Sequence, residues 1–405
     1  MKILFLTDNF PPEMNAPANR TFEHCREWMK YPNVEITIIT GVPNFPRGVV
    51  YKGYKNKFYQ KEIVSGIEII RVWTYIAENK NTFRRTIDYV SFCISSFIAG
   101  LFQKFDVIIG TSPQFFTVIS AFLLAKCKRK PWIFELRDLW PESIKSVGLI
   151  KNNLLYKYLE KLELLLYSNA DLIVTVTDSF KNKLIKKNIN KSKIVVHKNG
   201  VLNERFIYSG KNQYLINKYK LKNKFIVGYI GTQGLAHGLD FILNSINNFD
   251  EKFHFIFIGG GAKNESLKNI SKLNKMNNIT FIDFKPKDEI IKFISIIDVA
   301  LVNLKKSDTF KMVIPSKIFE NASMGKPILL GVEGEAKEII NHYRAGICFK
   351  PEQKTDFINK LNLIKATLDE NSNYYSKGLK SLSKDFDRKL IAKNMFYDIK
   401  KYITI

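Results

Sequence analysis

KFIVGYIGTQGLAHGLDFILNSI, residues 224–246, sets the pattern for the whole chain. An apolar run (224–231) enters a loop bearing Gly231, Gly234 and Gly238, and the loop opens onto a helical stretch. A continuous apolar run of this length suits a strand buried on both faces, as in a parallel sheet covered by helices. Further runs of the same kind follow: KFHFIFIGG (252–260), ITFIDF (279–284), VALVNL (299–304), PILLG (327–331) and AGICF (345–349). Upstream lies a first series: ILFLT (3–7), EITIIT (35–40), DVIIGT (106–111), WIFEL (132–136), DLIVTVT (171–177) and KIVVHKN (193–199). Strands alternating with helical stretches predict a doubly wound α/β architecture. A chain of 405 residues exceeds what one hydrophobic core usually serves, so two domains are expected. The series breaks at Asn199-Gly200, and the polar, lysine-rich stretch near 200–222 is expected to be the linker. The expected domains are 1–203 and 204–384. The segment 385–405 should pack back on the first of them, because Phe386, Leu390, Ile391, Met395, Phe396 and Ile399 share one helical face.

The bulk numbers restrict the function class. Hydrophobic content of 45% and charged content of 25% are those of an ordinary globular protein. Cys25, Cys93, Cys127 and Cys348 lack C-x-x-C spacing, which argues against a zinc site or a disulfide scaffold and suits a reducing compartment. The five histidines form no metal motif, so no metal and no cofactor is expected. MKILFLTD (1–8) is too short for a signal-peptide core and ends in an acid, so it is expected to be a first buried strand. The formal net charge of +25 has two readings, heavy use of lysine on solvated faces or an anionic partner. Nucleic acid is the weakest of the anionic partners, since no RNA-binding aromatic motif and no basic tail is present. An anionic membrane surface fits better. The apolar run YVSFCISSFIAGLFQ (89–103) is shorter than the ~20 residues a spanning helix needs. It reads either as a buried helix or as one lying in a membrane interface. Arg84, Arg85 and Lys104 flank it, and Lys126, Lys128, Arg129 and Lys130 follow the next apolar stretch (115–125).

The most specific chemistry sits in IPSKIFENASMGKPILLG (314–331). Pro315 starts a helix, Ser316 and Lys317 occupy its first turn, and Glu320 lies one turn on. A helix start with a lysine suits a phosphate, and a carboxylate can accept from two ribose hydroxyls. The alternative is a capped helix carrying a Lys317–Glu320 surface pair. The glycine turn at Gly231-Thr232 and a second at Gly259, Gly260 and Gly261 should meet at the carboxyl edge of one sheet, where open α/β sheets bind ligands. Neither turn is G-x-G-x-x-G, which disfavours a nicotinamide oxidoreductase. In the first half, FELRDLWPES (134–143) crowds Glu135, Arg137, Asp138 and Glu142 at a strand end. They read either as facing the ligand cleft or as holding an internal Arg137–Asp138 pair. The proline-rich TDNFPPEMNAPANR (7–20) can overhang the cleft from the first strand.

Taken together, DNFPPEMNAPANRTFEH, ELRDLWPES, NGV (199–201), GTQGLAHGLD and IPSKIFENASMGKPILLGVEGEA resemble the family-4 retaining glycosyltransferases of the GT-B fold, and more narrowly the WbuB-type enzymes of O-antigen and capsule assembly. The resemblance covers essentially the whole chain. It implies two Rossmann-like domains facing across a cleft, with acceptor on the first and nucleotide sugar on the second. It implies that Glu320 is the second glutamate of the family's E-x7-E motif and holds the ribose. Gly231 and Thr232 become the phosphate turn, Gly259 to Gly261 lie near the nucleotide, and Asn15 and Ala16 meet the donor from the first domain. Ser316 and His237 complete the donor set. The first glutamate of the motif falls at Met312, the family's lysine at His237 and its arginine at Thr232; Lys317 is the residue that could restore the lost charge. Arg137, Asp138 and Lys317 are the catalytic candidates. The implied partners are a nucleotide sugar, UDP-linked and N-acetylfucosamine-like, and a polyprenyl-diphosphate-linked saccharide. The implied location is cytoplasmic, peripheral on the inner face of the bacterial cytoplasmic membrane. Rival readings are a nucleotide-sugar 2-epimerase of the same fold and a non-enzymatic basic membrane-binding protein.

Overall fold

The computed structural model describes residues 1–45, 47–77, 82–146, 148 and 152–403. The chain forms two compact units, Met1–Lys198 with Arg388–Ile405, and Asn199–Asp387. In the first unit the strands are β1 (Lys2–Leu6), β2 (Glu35–Thr40), β3 (Tyr59–Val64), β4 (Ile67–Val72), β5 (Val107–Thr111), β6 (Trp132–Leu136), β7 (Leu172–Thr175) and β8 (Ile194–Val196). Its helices are α1 (Ala16–Trp28), α2 (Thr82–Leu101), α3 (Phe115–Lys128), α4 (Glu142–Ser146), α5 (Asn153–Asn169) and α6 (Asp178–Lys186). In the second unit α7 (Gln213–Lys218) precedes β9 (Phe225–Ile230), α8 (Leu239–Ser245), β10 (Phe253–Ile258), α9 (Asn264–Leu273), β11 (Ile279–Ile282), α10 (Lys287–Ile296) and β12 (Val299–Asn303). α11 (Lys317–Ser323), β13 (Ile328–Gly331), α12 (Glu335–Tyr343), β14 (Gly346–Cys348), α13 (Lys354–Glu370) and α14 (Ser376–Asp385) complete it, and α15 (Arg388–Ile403) returns to the first unit.

The second sheet runs β11-β10-β9-β12-β13-β14, parallel throughout. In chain order this is 3-2-1-4-5-6, the Rossmann arrangement, with its topological switch between β9 and β12. The first sheet runs β3-β4-β2-β1-β5-β6-β7-β8 and has its switch between β1 and β5. The switch points decide where ligands can meet each sheet, at the carboxyl ends of those strand pairs.

Among the described residues only β3 and β4 pair antiparallel, and the sequence reading missed both. β3 is YQKEIV at the sheet edge, alternately exposed and half-buried, so it carries no continuous apolar run. The signal that could have found the hairpin is Ser65-Gly66, whose φ angles of 53° and 80° give the two left-handed positions a tight hairpin turn needs.

Three expectations are corrected. The stretch expected as a linker belongs to the second unit, where Asn212 caps α7 and Lys211 pairs with Asp298 at 2.5 Å. The apolar run at 89–103 lies up to Leu101 in a longer helix, α2, which begins at Thr82. The terminal helix begins at Arg388, and Phe386 is not on its packed face: it stacks on Phe319 of α11 at 4.6 Å, in the other unit. Leu390 is about half exposed, whereas Ile391, Met395, Phe396 and Ile399 enter the core. That face seats on α1, with Trp28 Nε1–H donating to Ala392 O at 2.8 Å and Tyr31 stacked on Phe396 at 4.5 Å.

Candidate active site

At the switch point of the second unit, β9 is followed by Gly231, with φ 137°. A Cβ there would stand 3.0 Å from Lys317 Nζ, so glycine leaves the room the ammonium occupies. The Lys317 side chain turns inward over the Tyr229 ring, 3.9 Å from its centroid. Its Nζ is buried and has no hydrogen-bond partner among the described residues. Burial pulls the ammonium down to about 7, with Glu320 opposing. Tyr229 is itself fully buried and donates its hydroxyl to Thr232 O at 2.5 Å, which fixes the turn beneath the lysine.

The loop then runs to His237 and Gly238. Gly234 N–H donates to His237 Nδ1 at 3.3 Å, which assigns the ring proton to Nε2. Burial, and then Lys317, lower this imidazole to about 3, so it is neutral and its Nε2–H is a donor. Asn303, at the end of β12, donates Nδ2–H to His237 O at 2.8 Å and ties the loop to the switch point. The second glycine turn locks beneath the first. A Cβ on Gly259 would lie 2.2 Å from Gly231 O and one on Gly261 2.7 Å from Gln233 O, while Gly260 has nothing within 4 Å. Gly259 and Gly261 therefore serve backbone packing, and Gly260 alone offers open space.

Gln233 escaped the sequence reading. It is fully buried, accepts from Asn264 Nδ2–H at 2.8 Å through Oε1, and leaves its Nε2 without a partner among the described residues. A glutamine in a glycine loop carries no signal in isolation. Ser316 stands half-buried just before α11 and makes no side-chain cap. The surface pair Lys317–Glu320 does not form: Glu320 is half-buried and lies 3.7 Å from Lys287 Nζ. Gly231, Thr232, His237, the 259–261 turn and Lys317 thus meet in one place, with Ser316 and Glu320 alongside on α11.

At the switch point of the first unit, Asn15 caps α1, its Oδ1 accepting from Ala18 N–H at 3.0 Å, with Ala16 as the first helical residue. Arg137 follows β6, donates N–H to Ser112 Oγ at 2.8 Å, and reaches Pro17 O through Nη1 at 3.3 Å. The structure therefore sets Arg137 beside the loop of Asn15 and Ala16. Asp138 takes Ser143 Oγ–H at 3.0 Å, and burial raises its carboxyl to about 6. The expectation that all four charges of this segment face a ligand is corrected. Glu135 is buried and pairs with Arg20 at 2.8 Å, so the internal pair is Arg20–Glu135 and not Arg137–Asp138. Glu142 pairs with Lys183. Asp8, Glu13 and Asp88 were also missed. Burial raises their carboxyls to about 6, 7 and 8, with Arg85 opposing the rise at Asp8, Asn44 and Phe45 N–H bonds opposing it at Glu13, and Asp8 adding to it at Asp88. The sign available in the sequence was an acid directly after β1.

Residues 20–205 match the family described as Glycosyltransferase Family 4, and residues 212–380 match Glycosyl transferases group 1. Each half thus matches a glycosyltransferase domain family. Among curated proteins, the glycosyltransferase domains resemble the probable glycosyltransferase WbjE of Pseudomonas aeruginosa, 26% identical over 62% of this chain and 63% of that protein. They also resemble the putative teichuronic acid biosynthesis glycosyltransferase TuaH of Bacillus subtilis, 24% identical over 49% of each. The chain therefore spans from about half to just under two thirds of the length of these relatives. Among solved structures, HepE of Anabaena in complex with UDP and glucose superposes with a TM-score of 0.75 at 14% identity, over 99% of this chain and 100% of that one. Sucrose-phosphate synthase of Thermosynechococcus elongatus gives 0.80 at 11% identity, over 100% and 99%. The two-unit arrangement of Rossmann-like sheets is the GT-B fold. No helix among the described residues is long and apolar enough to cross a membrane.

Proposed function

We propose that the chain transfers a sugar from a nucleoside-diphosphate donor onto a lipid-linked saccharide during assembly of a cell-surface polysaccharide. The observation that carries the reading is Lys317: a buried ammonium at the Rossmann switch point with no anion of its own among the described residues. An orphaned buried cation is unfavourable unless a ligand completes it. A diphosphate does so, and its charge grows as the glycosidic bond breaks, so Lys317 acts most strongly where the barrier lies. The neutral His237 Nε2–H adds a donor to the same group. Since Lys317 supplies the positive charge, the transfer is proposed to need no metal. Glu320 takes the ribose hydroxyls, and Gly260 leaves space for the nucleotide. Asn15, Ala16, Arg137 and Asp138 orient the substrates from the first unit. The reaction retains configuration, with the donor phosphate taking the proton of the acceptor hydroxyl. The UDP in the HepE complex supports a uridine nucleotide. An N-acetylhexosamine of the N-acetylfucosamine type is the proposed sugar. The names of WbjE and TuaH support a surface polysaccharide. The enzyme works as a peripheral protein on the inner face of the cytoplasmic membrane.

The test is a panel of nucleotides and nucleotide sugars read by thermal shift. A true donor at a hundred times its dissociation constant adds about 2.7 kcal/mol of stability. Stabilisation by UDP-sugars that disappears in Lys317→Met supports the reading. Indifference to every nucleoside diphosphate overturns it.

A further inference from the structure

In the first unit α2 and α3 lie against the same sheet, α2 over β2 and β4 and α3 over β1, β5 and β6. Ser96 Oγ bonds to Ser120 Oγ at 2.9 Å, and a Cβ on Gly100 would stand 2.4 Å from Leu124. Both contacts join positions with the same separation along the chain, so the two helices run parallel and in register. Lys104, just beyond α2, therefore lies level with Lys128 at the end of α3. α5 packs on the far side of α3, so the three helices form one layer with the sheet beneath them.

The side of this layer turned away from the sheet is apolar. Along α2 and at the residue just past its end, the exposed positions include Phe83, Ile87, Val90, Ile94, Ile98 and Phe102, spaced three or four apart along a single line. Phe83 and Phe102 at its two ends are 74% and 79% exposed. Leu123 continues the surface on α3, and Leu154, Tyr158 and Leu165 do so on α5. Such an area on a soluble face marks an interaction site. Its border is cationic: Arg84 at one end, and Lys104, Lys126, Lys128, Arg129 and Lys130 together at the other, with Lys157 and Lys161 on α5, all exposed. α2 holds one acid, Asp88, which is turned inward towards Asp8, and α3 holds none.

We propose that the outward face of α2, α3 and α5 docks on the surface of a bilayer containing anionic phospholipid. The helices lie flat, with the apolar line in the acyl boundary and the lysines at the headgroups. Charge decides between occupants. A second copy of the chain would bring two identical cationic borders together, whereas an anionic lipid surface complements them. Docked this way, α2 carries its first turns, with Arg85 and Asp88, to the Asp8 end of β1, so the switch point of the first unit opens beside the bilayer. This rests on the proposed lipid-linked acceptor for its purpose and not for its measurement.

The experiment is flotation of the full chain with vesicles of phosphatidylcholine alone or containing phosphatidylglycerol, at low and raised salt. The expected result is binding about tenfold or more tighter to the anionic vesicles, weakened by salt. The doubly substituted Ile94→Glu/Ile98→Glu chain should lose about tenfold or more on anionic vesicles. The Lys126→Glu/Lys128→Glu chain should lose the preference for anionic lipid. Equal binding to both vesicle types, binding to neither, or parent-like binding by the variants overturns the proposal. So does a dimer, found by light scattering without lipid, that Ile94→Glu dissociates. UDP affinity measured on the same samples separates the two readings. Retained UDP binding with no flotation removes the membrane face alone; flotation without UDP binding removes the donor site alone.

Discussion

The two units each bury cations at the carboxyl edge of a Rossmann-like sheet, and they treat them in opposite ways. In the first unit Arg20 is wholly enclosed and saturated: Nε donates to Glu135, Nη1 to Lys198 O at 3.0 Å and Nη2 to His197 O at 2.9 Å. In the second, Lys317 is half-buried as a residue, but its Nζ is buried and has only the face of an aromatic ring. A guanidinium with its fork filled is part of the architecture, tying α1 to β6 and to the end of β8. An ammonium left open at a ligand-binding edge is a place kept for an anion. The same burial therefore reads as structure in one unit and as function in the other, and substitutions should separate the two.

The largest effect is expected from Arg20→Met. It leaves Glu135 buried without its partner and strips two carbonyls of their donors, which should cost about 3–5 kcal/mol of stability. Urea denaturation measures this, and an unchanged midpoint would contradict the architectural reading. Lys317→Met should do the reverse. Stability without ligand should hold or rise, because an unpaired buried ammonium is removed, while UDP affinity falls by about 1.5–3 kcal/mol. Calorimetric titration with UDP reads the loss. A fall in unliganded stability instead would mean that Lys317 is an architectural cation like Arg20.

Next in size is a pH effect peculiar to Lys317. Its folded-state value near 7 lies below the ordinary 10.5, so between these values the unfolded chain holds a proton that the folded chain has released. Its contribution to stability should therefore rise with pH through that window. Diphosphate binding works against this, since it restores the charge. UDP affinity should be flat below pH 7 and fall above it by up to about tenfold per unit, or about 1.4 kcal/mol. Lys317→Arg, charged throughout, should flatten the profile. A wild-type profile without slope between pH 7 and 9 would show that the ammonium stays charged without ligand.

The contrast also explains what the sequence could disclose. Twelve runs that are apolar from end to end announced their strands, because a strand covered on both faces has no polar side to show. β3 did not announce itself, because an edge strand alternates, and β4, IEIIRV, is broken as an apolar run by Glu68 and Arg71. Lys317 stood out as a residue type in a helix start beside a glycine turn. Whether it paired with Glu320 on the surface or turned inward depended on the space left by Gly231, which lies 86 positions earlier and in another element. The Arg20–Glu135 pair spans 115 positions, and no local spacing could have matched those partners. The nearer candidate, Arg137–Asp138, looked reasonable only because it was adjacent. Local chemistry was legible where it depended on neighbours in the chain; partnership between distant charges depended on the topology that brings strand ends together.

The smallest change tests the finest part of the comparison. Gly259, Gly260 and Gly261 look equivalent in the sequence, but the outer two press their Cα atoms against the backbone of the Gly231–Gln233 turn. Gly260 faces open space and has no positive φ, so alanine fits both its surroundings and its backbone. Gly260→Ala should alter stability by no more than about 0.5 kcal/mol. If the open side of Gly260 is where the nucleotide lies, the added methyl meets the ligand and weakens UDP binding while the melting temperature stays put. If affinity and melting temperature both stay put, the nucleotide does not approach this turn, and Lys317 must hold the diphosphate from the α11 side alone.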